Sequence, residues 1–223
     1  MFPLRALIRL RSFPAVTLAL IIINAFVFLF ERALSPYGYS IIIHQYALIP
    51  AIIHPSALLT SMFLHGGWLH LIGNMWFLWV FGTRVEDALG AFKYLAYYLL
   101  CGIIAAFVHL ALNLGSPIPT IGASGAIAGV MGGFLLLYPR ARIHTLIFIV
   151  IFVTTIEVPA VILLVYWFLL QLLSGLSSFG QLSYSNTGGI AWFAHVGGFL
   201  AGMLLLTLFG GQSRRSNSYT YRY

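Results

Sequence analysis

The sequence predicts an all-α polytopic membrane protein: a bundle of six transmembrane helices with a short interfacial segment before the fifth span. Three observations carry this. Of the 223 residues 61% are hydrophobic and 7% charged, against about 25% charged in soluble domains. The 11 Lys and Arg and 4 Asp and Glu cannot cover a water-facing surface, so a water-soluble chain is excluded. Six apolar runs lie near 13–30, 66–82, 91–112, 122–138, 158–176 and 190–209, each close to the roughly 20 residues that cross about 30 Å of hydrocarbon. Basic residues fall almost wholly in every second connection between those runs, hence on one side, as they do in membrane proteins.

The first run follows Arg5, Arg9 and Arg11 and has no small-residue cleavage site after Phe30, which predicts a retained span rather than a removed signal peptide. Loop 31–65 then lies outside and span two runs inward. Six spans put both termini on one side. That side holds Arg5, Arg9, Arg11, Arg84, Lys93, Arg140, Arg142, Arg214, Arg215 and Arg222, and only Arg32 lies opposite. The positive-inside rule therefore predicts cytoplasmic termini. The run Leu146–Val153 is too short to span and predicts an interfacial or re-entrant piece. After it, Thr154-Thr155-Ile156-Glu157-Val158-Pro159 reads as a helix start with Thr154 as N-cap. The expected organisation is a cytoplasmic segment 1–12, a membrane domain 13–209 and a basic tail 210–223. The lone Cys101 excludes an intrachain disulfide framework and a Cys-built zinc site. The basic residues form no single stripe, so nucleic acid is not an expected partner; the lipid bilayer is.

Polar groups inside apolar spans are costly and informative, and here they cluster. Span two opens His65-Gly66-Gly67-Trp68-Leu69-His70-Leu71-Ile72-Gly73-Asn74, span four opens Gly122-Ala123-Ser124-Gly125, and span six carries Ala194-His195-Val196-Gly197-Gly198. All three spans run from outside to inside, so His70, Ser124 and His195 share a depth near the outer end. His70 and Asn74, four apart, share a helix face. Gly125, Gly129 and Gly133, with Gly198 and Gly202, predict close helix approach. A serine beside an imidazole suits acyl transfer, with His195 removing the hydroxyl proton. Oxyanion donors are available from the start of span four, including the Ser124 N–H, and from Asn74 and His70. Each feature alone is weak; the joint pattern points to chemistry.

The chain resembles the rhomboid family of intramembrane serine proteases. The resemblance rests on the three segments just quoted, together with Gly82-Thr83-Arg84-Val85-Glu86, Leu89-Gly90 and the continuation from Gly198 to Gly202, and covers about residues 50–210. It implies a rhomboid-like six-helix fold with Ser124 as nucleophile, His195 as general base in a dyad without an acid, and His70 and Asn74 in the oxyanion site. It also implies membrane-anchored protein substrates, cut in or near a transmembrane segment where side chains are small and the helix unwinds easily. His65 and the pair Arg84 and Glu86 are expected to be structural. Two positions depart from the family: Ile52-Ile53-His54-Pro55-Ser56-Ala57 replaces the Trp-Arg of many first loops, and Ala128 stands where some members place a Tyr that stacks on the catalytic His. No carboxylate is expected in the outer half of any span.

The favoured reading is a serine endopeptidase of a cell inner membrane, its active site open to the outer side. It needs no cofactor or metal, and access is expected through span five or the loop after it, at Ser174, Gly175, Ser177, Ser178 and Gly180. A catalytically silent member of the same fold, binding rather than cutting, is disfavoured by the intact Ser124 and His195. A transporter or channel would spread polar residues through the whole thickness. A zinc protease would need His-Glu-x-x-His, and Ser/Lys chemistry has no lysine at that depth. His44 and His54 are loop residues without an identifiable partner; His109 and His144 read as structural.

Overall fold

A computed structural model of the chain describes residues 1–149, 152–178 and 191–210. The basic tail beyond 210, Gly180 and the middle of Leu146–Val153 lie outside the described residues. A strand β1 (Phe2–Ala6) leads to α1 (Ala15–Ala33), and two helices within loop 31–65 follow, α2 (Pro36–Tyr46) and the single turn α3 (Ala57–Thr60). Span two is composite: α4 (Trp68–Phe77) passes through a π turn (Leu78–Gly82) into α5 (Thr83–Leu89). Then come α6 (Ala91–Leu112), α7 (Ser124–Leu137), strands β2 (Arg142–Ile149) and β3 (Phe152–Pro159), α8 (Ala160–Ser178) and α9 (Trp192–Leu208). The structure is thus a multi-span helical bundle. Three of its helices, α1, α6 and α8, are individually long and apolar enough to cross a membrane, while α7 and α9 are shorter apolar helices. At about 1.5 Å per residue, the 14 residues of α7 reach about 21 Å, two thirds of a hydrocarbon core. The helix begins only at Ser124, after the non-helical segment 113–123.

The bundle centres on α7, buried along most of its length between α6 and α9. Glycines set the spacing. A Cβ on Gly125 would lie 2.7 Å from the Ala105 Cβ, one on Gly129 would run into Cys101, and one on Gly133 would run into the Tyr97 hydroxyl, so the glycine row of α7 faces α6. On α9, Cβ atoms at Gly198 and Gly202 would collide with the carbonyls of Gly125 and Gly129. Backbones therefore approach closely, as small residues in membrane helices allow. Tyr97, fully buried, places its hydroxyl 2.8 Å from the Gly129 carbonyl and 2.9 Å from that of Gly202, and so ties the three helices together.

Two expectations are corrected. Thr154 does not cap a helix. Residues Phe152–Pro159 form β3, paired antiparallel with β2, and α8 starts only at Ala160. With β1 on the other side, the sheet order is β1-β2-β3, so the segment before span five is a hairpin that also takes in the chain's first residues. β-Branched residues fill this stretch, and Ile143, Thr145 and Val158 alternate inward as buried positions. The second correction concerns α1, which continues past Phe30 to Ala33 and ends where Leu34 turns extended before the Ser35 cap of α2. That extension puts a buried carboxylate, Glu31, near the C-terminal end of α1.

The end opposite Ser124 is held by the segment Arg84–Asp87. Glu86, 3% exposed, accepts hydrogen bonds from the backbone N–H groups of Val16 and Thr17 at 2.8 and 2.7 Å. These are donors of the α1 first turn, which has no side-chain cap of its own. Asp87 accepts from the N–H groups of Arg11 and Ser12 and from the Ser12 hydroxyl. Arg84 donates to the Thr83 hydroxyl at 2.7 Å and to the Ala6 carbonyl at 3.2 Å. Its bonds thus run to β1 and its neighbour, while Glu86 serves α1. Near the sheet, His144 and Arg142 both face Glu157, at 3.4 and 3.9 Å. In loop 31–65 the rings of His44 and His54 lie 6.3 Å apart.

Candidate active site

Ser124 is the first residue of α7. Gly122, two residues earlier, has φ of 121°, a conformation that side chains rarely adopt, and its N–H donates to the Ser61 carbonyl at 2.9 Å. This turn aims the start of α7 at α9. His195 lies on the first turn of α9 (Trp192–Leu208) and is 8% exposed. The Gly198–Gly125 approach brings the two helices together at this level, and His195 Nε2 sits 2.7 Å from Ser124 Oγ.

The other ring nitrogen of His195, Nδ1, is 2.8 Å from Oε1 of Gln171 on α8. Trp167, one turn earlier on α8, lies against the imidazole with ring centroids 5.9 Å apart and planes tilted by 35°, while Trp192 meets it edge-on at 6.5 Å. Trp167 thus supplies an aromatic neighbour from a different helix, where Ala128 leaves none. Neither Gln171 nor Trp167 was predicted as a site residue. An amide between Ala160 and Leu173, in an otherwise apolar helix, was the available signal, since a polar group in such a run usually faces the bundle.

On the opposite side of the Gly122 turn stand His70 and Asn74. A Cβ on Gly122 would meet His70 Nε2 at 2.7 Å and Asn74 Nδ2 at 3.4 Å, so both side chains converge on the backbone leading into Ser124. Asn74, 8% exposed, is oriented by His65: Asn74 Nδ2 is 3.0 Å from His65 Nε2. Because His65 Nδ1 faces the Phe63 carbonyl at 3.4 Å, the tautomer with the proton on Nδ1 lets Nε2 accept from the Asn74 amide. The His65 backbone N–H donates to Glu31 at 3.2 Å, which links the end of α1 to this network. His109, on α6, pairs with the Thr120 hydroxyl at 2.8 Å.

A small cavity adjoins Ser124, lined among others by Ser61, His109, Thr120, Gly122 and Gly125. Its volume of about 30 Å³ leaves room for water, for which Ser61, His109, Thr120 and Ser124 are the polar groups in a mainly apolar lining. The arrangement can therefore bring together a hydroxyl with a hydrogen-bonded imidazole, amide and imidazole donors around the adjacent backbone, and room for water. Among the described residues no group of three or more His, Cys, Asp or Glu could hold a metal ion.

Fold and site together define a multi-span helical membrane protein with a serine and a histidine joined between two glycine-packed helices. A family model described as the rhomboid domain matches residues 54–212, and the chain belongs to the rhomboid family. It is 46% identical over 81 residues to the rhomboid protease GluP of Bacillus subtilis (strain 168), which is 35% of this chain and 15% of that protein. It is 35% identical over 102 residues to the rat presenilin-associated rhomboid-like protein, mitochondrial, covering 45% of this chain and 27% of that protein. To rhomboid protein 1, mitochondrial, of Saccharomyces cerevisiae it is 35% identical over 96 residues, 41% of this chain and 28% of that protein. The matched stretches thus cover between 15% and 28% of these relatives' own length.

Proposed function

We propose that the chain is an intramembrane serine endopeptidase that cuts membrane-anchored proteins in or near their transmembrane segment. The observation that carries this reading is the 2.7 Å contact between Ser124 Oγ and His195 Nε2. Ser124 attacks the scissile carbonyl while His195 takes its proton; the charge that develops on the carbonyl oxygen is met by the Ser124 N–H, Asn74 and His70. Collapse expels the amine, which receives the proton from His195. Water from the outer side then hydrolyses the acyl-enzyme by the same proton route. The proposed setting is a cell inner membrane with both termini cytoplasmic and Ser124 near the outer face. Substrate is proposed to arrive past α8, whose outward face is apolar from Leu169 to Leu176.

The test is cleavage of single-span substrates by purified protein in detergent, with folding followed by thermal melting. Ser124→Ala and His195→Ala should each abolish nearly all turnover, and the double variant should be scarcely worse than either, because groups acting in one step are strongly non-additive. Substantial turnover by folded Ser124→Ala would remove the mechanism, and an inactive wild type across a broad substrate panel would favour a silent, binding member.

A further inference from the structure

We propose that Gln171 is a positioning residue for His195: its side-chain carbonyl fixes the imidazole tautomer that allows Nε2 to take the Ser124 proton, so that α8 belongs to the reacting unit. The inference deepens the proteolytic reading and rests on it. Gln171 is 7% exposed and lies with Oε1 2.8 Å from His195 Nδ1. A carbonyl oxygen facing Nδ1 requires the proton to be on Nδ1, which leaves the Nε2 lone pair free to accept from the Ser124 hydroxyl 2.7 Å away. Were the amide turned over, its N–H would face Nδ1, the ring proton would move to Nε2, and the contact with Ser124 would become a donation from histidine. That arrangement cannot remove the serine proton. The two amide orientations therefore demand opposite tautomers and opposite chemical capacities.

The ring is fixed in a second direction by the same helix. Trp167 precedes Gln171 by four residues, hence on the same face of α8, and lies against the imidazole at a centroid distance of 5.9 Å. Gln171 thus sets the rotation of the ring about its own plane normal and Trp167 its tilt. When His195 takes the proton, the imidazolium Nδ1–H keeps its acceptor. A neutral amide at a position this buried supplies orientation without adding a buried charge.

The experiment combines two readouts on the full chain. Imidazole nitrogen NMR of the ¹⁵N-histidine-labelled protein, assigned with His195→Ala, should find the proton of wild-type His195 on Nδ1. Gln171→Met and Gln171→Leu, which keep bulk and lose the acceptor, should move the population toward Nε2–H. They should lower kcat about tenfold to a hundredfold, by analogy with the loss when hydrogen-bond partners of metal-ligating histidines are removed, with KM nearly unchanged. Gln171→Glu retains an acceptor and should restore the Nδ1–H form and most of kcat. A wild-type His195 protonated on Nε2 overturns the proposal, and so does a folded Gln171→Met with tautomer and kcat both unchanged. So does a loss of kcat without a tautomer change. Should neither apolar variant fold, the wild-type tautomer alone decides. A wild type that cuts no substrate defeats the proteolytic reading instead, while the tautomer comparison still reports on Gln171.

Discussion

Asn74 offers only one of its amide hydrogens to His65, so the second is available toward Gly122 and Ser124. This geometry gives distinct expectations for two neighbours. Asn74→Ala removes an oxyanion donor and should lower kcat by up to about 10²–10³-fold, less if His70 compensates. His65→Ala removes the acceptor that holds Asn74 and the ring that packs against His70 at 5.1 Å, but no oxyanion donor, and should cost less in kcat while also lowering the melting temperature, because His65 is 1% exposed. Cleavage rates beside melting curves separate the two; equal kcat losses would mean that His65 itself acts at the site. The i, i+4 spacing of His70 and Asn74 made their common face readable from the sequence. The His65 contact was not readable, since it closes through the irregular Gly66-Gly67 turn, and Glu31 was missed because the apolar run stops before α1 does. Gln171 was overlooked for another reason: its partner lies on another span, and nothing in local periodicity pairs two helices.

The elements whose packing was readable are those whose small residues repeat at helical spacing. Gly198 and Gly202 predicted the close approach of α9 to α7, and the collision that a Cβ at either would make with a carbonyl explains why. Gly198→Ala should force the backbones apart at the level of Ser124 and His195. Overpacking of this kind typically costs about 1–3 kcal/mol, so a lowered melting temperature together with a large loss of turnover is expected. Leu204→Ala, on the exposed face of the same helix, should leave both nearly unchanged in detergent. A Gly198→Ala variant with normal kcat would mean that the dyad distance does not depend on this contact. The partner of the α7 glycine row was less readable: spacing along one helix reveals a flat face without saying that α6 fills it. The β2–β3 hairpin was obscured by the same property that makes the spans stand out, because a short apolar run has no periodicity of its own in a chain that is apolar throughout.

For the whole molecule, the sheet and the Arg84–Asp87 cluster lie beyond the C-terminal end of α7 while the dyad lies at its N-terminal end, so the two faces of the protein differ in charge and chemistry. With ten basic residues assigned to one side and Arg32 alone to the other, reporter fusions after Tyr223 should report cytoplasm and fusions within 35–55 the outer side. The reverse result would place Ser124 at the inner face and defeat the proposed orientation. The six runs made the bundle readable as a whole, even though one span proved composite and another began as helix only part-way in.

The cap that Glu86 places on α1 bears on how the protein is made. A chain growing from the ribosome delivers Val16 and Thr17 to the membrane about 70 residues before the Glu86 carboxylate that receives their N–H groups. Until α5 has been synthesised, the first turn of α1 has donors with no side-chain acceptor. The leading span should therefore mature only after its successor, as a pair. A fragment ending at Phe81 should leave residues 11–20 open to protease, and one ending at Leu112 should protect them; equal sensitivity would dissociate the cap from biogenesis. A substitution at Glu86 would then do its harm during membrane insertion, reducing the amount of protein that accumulates without altering the chemistry of the molecules that complete assembly.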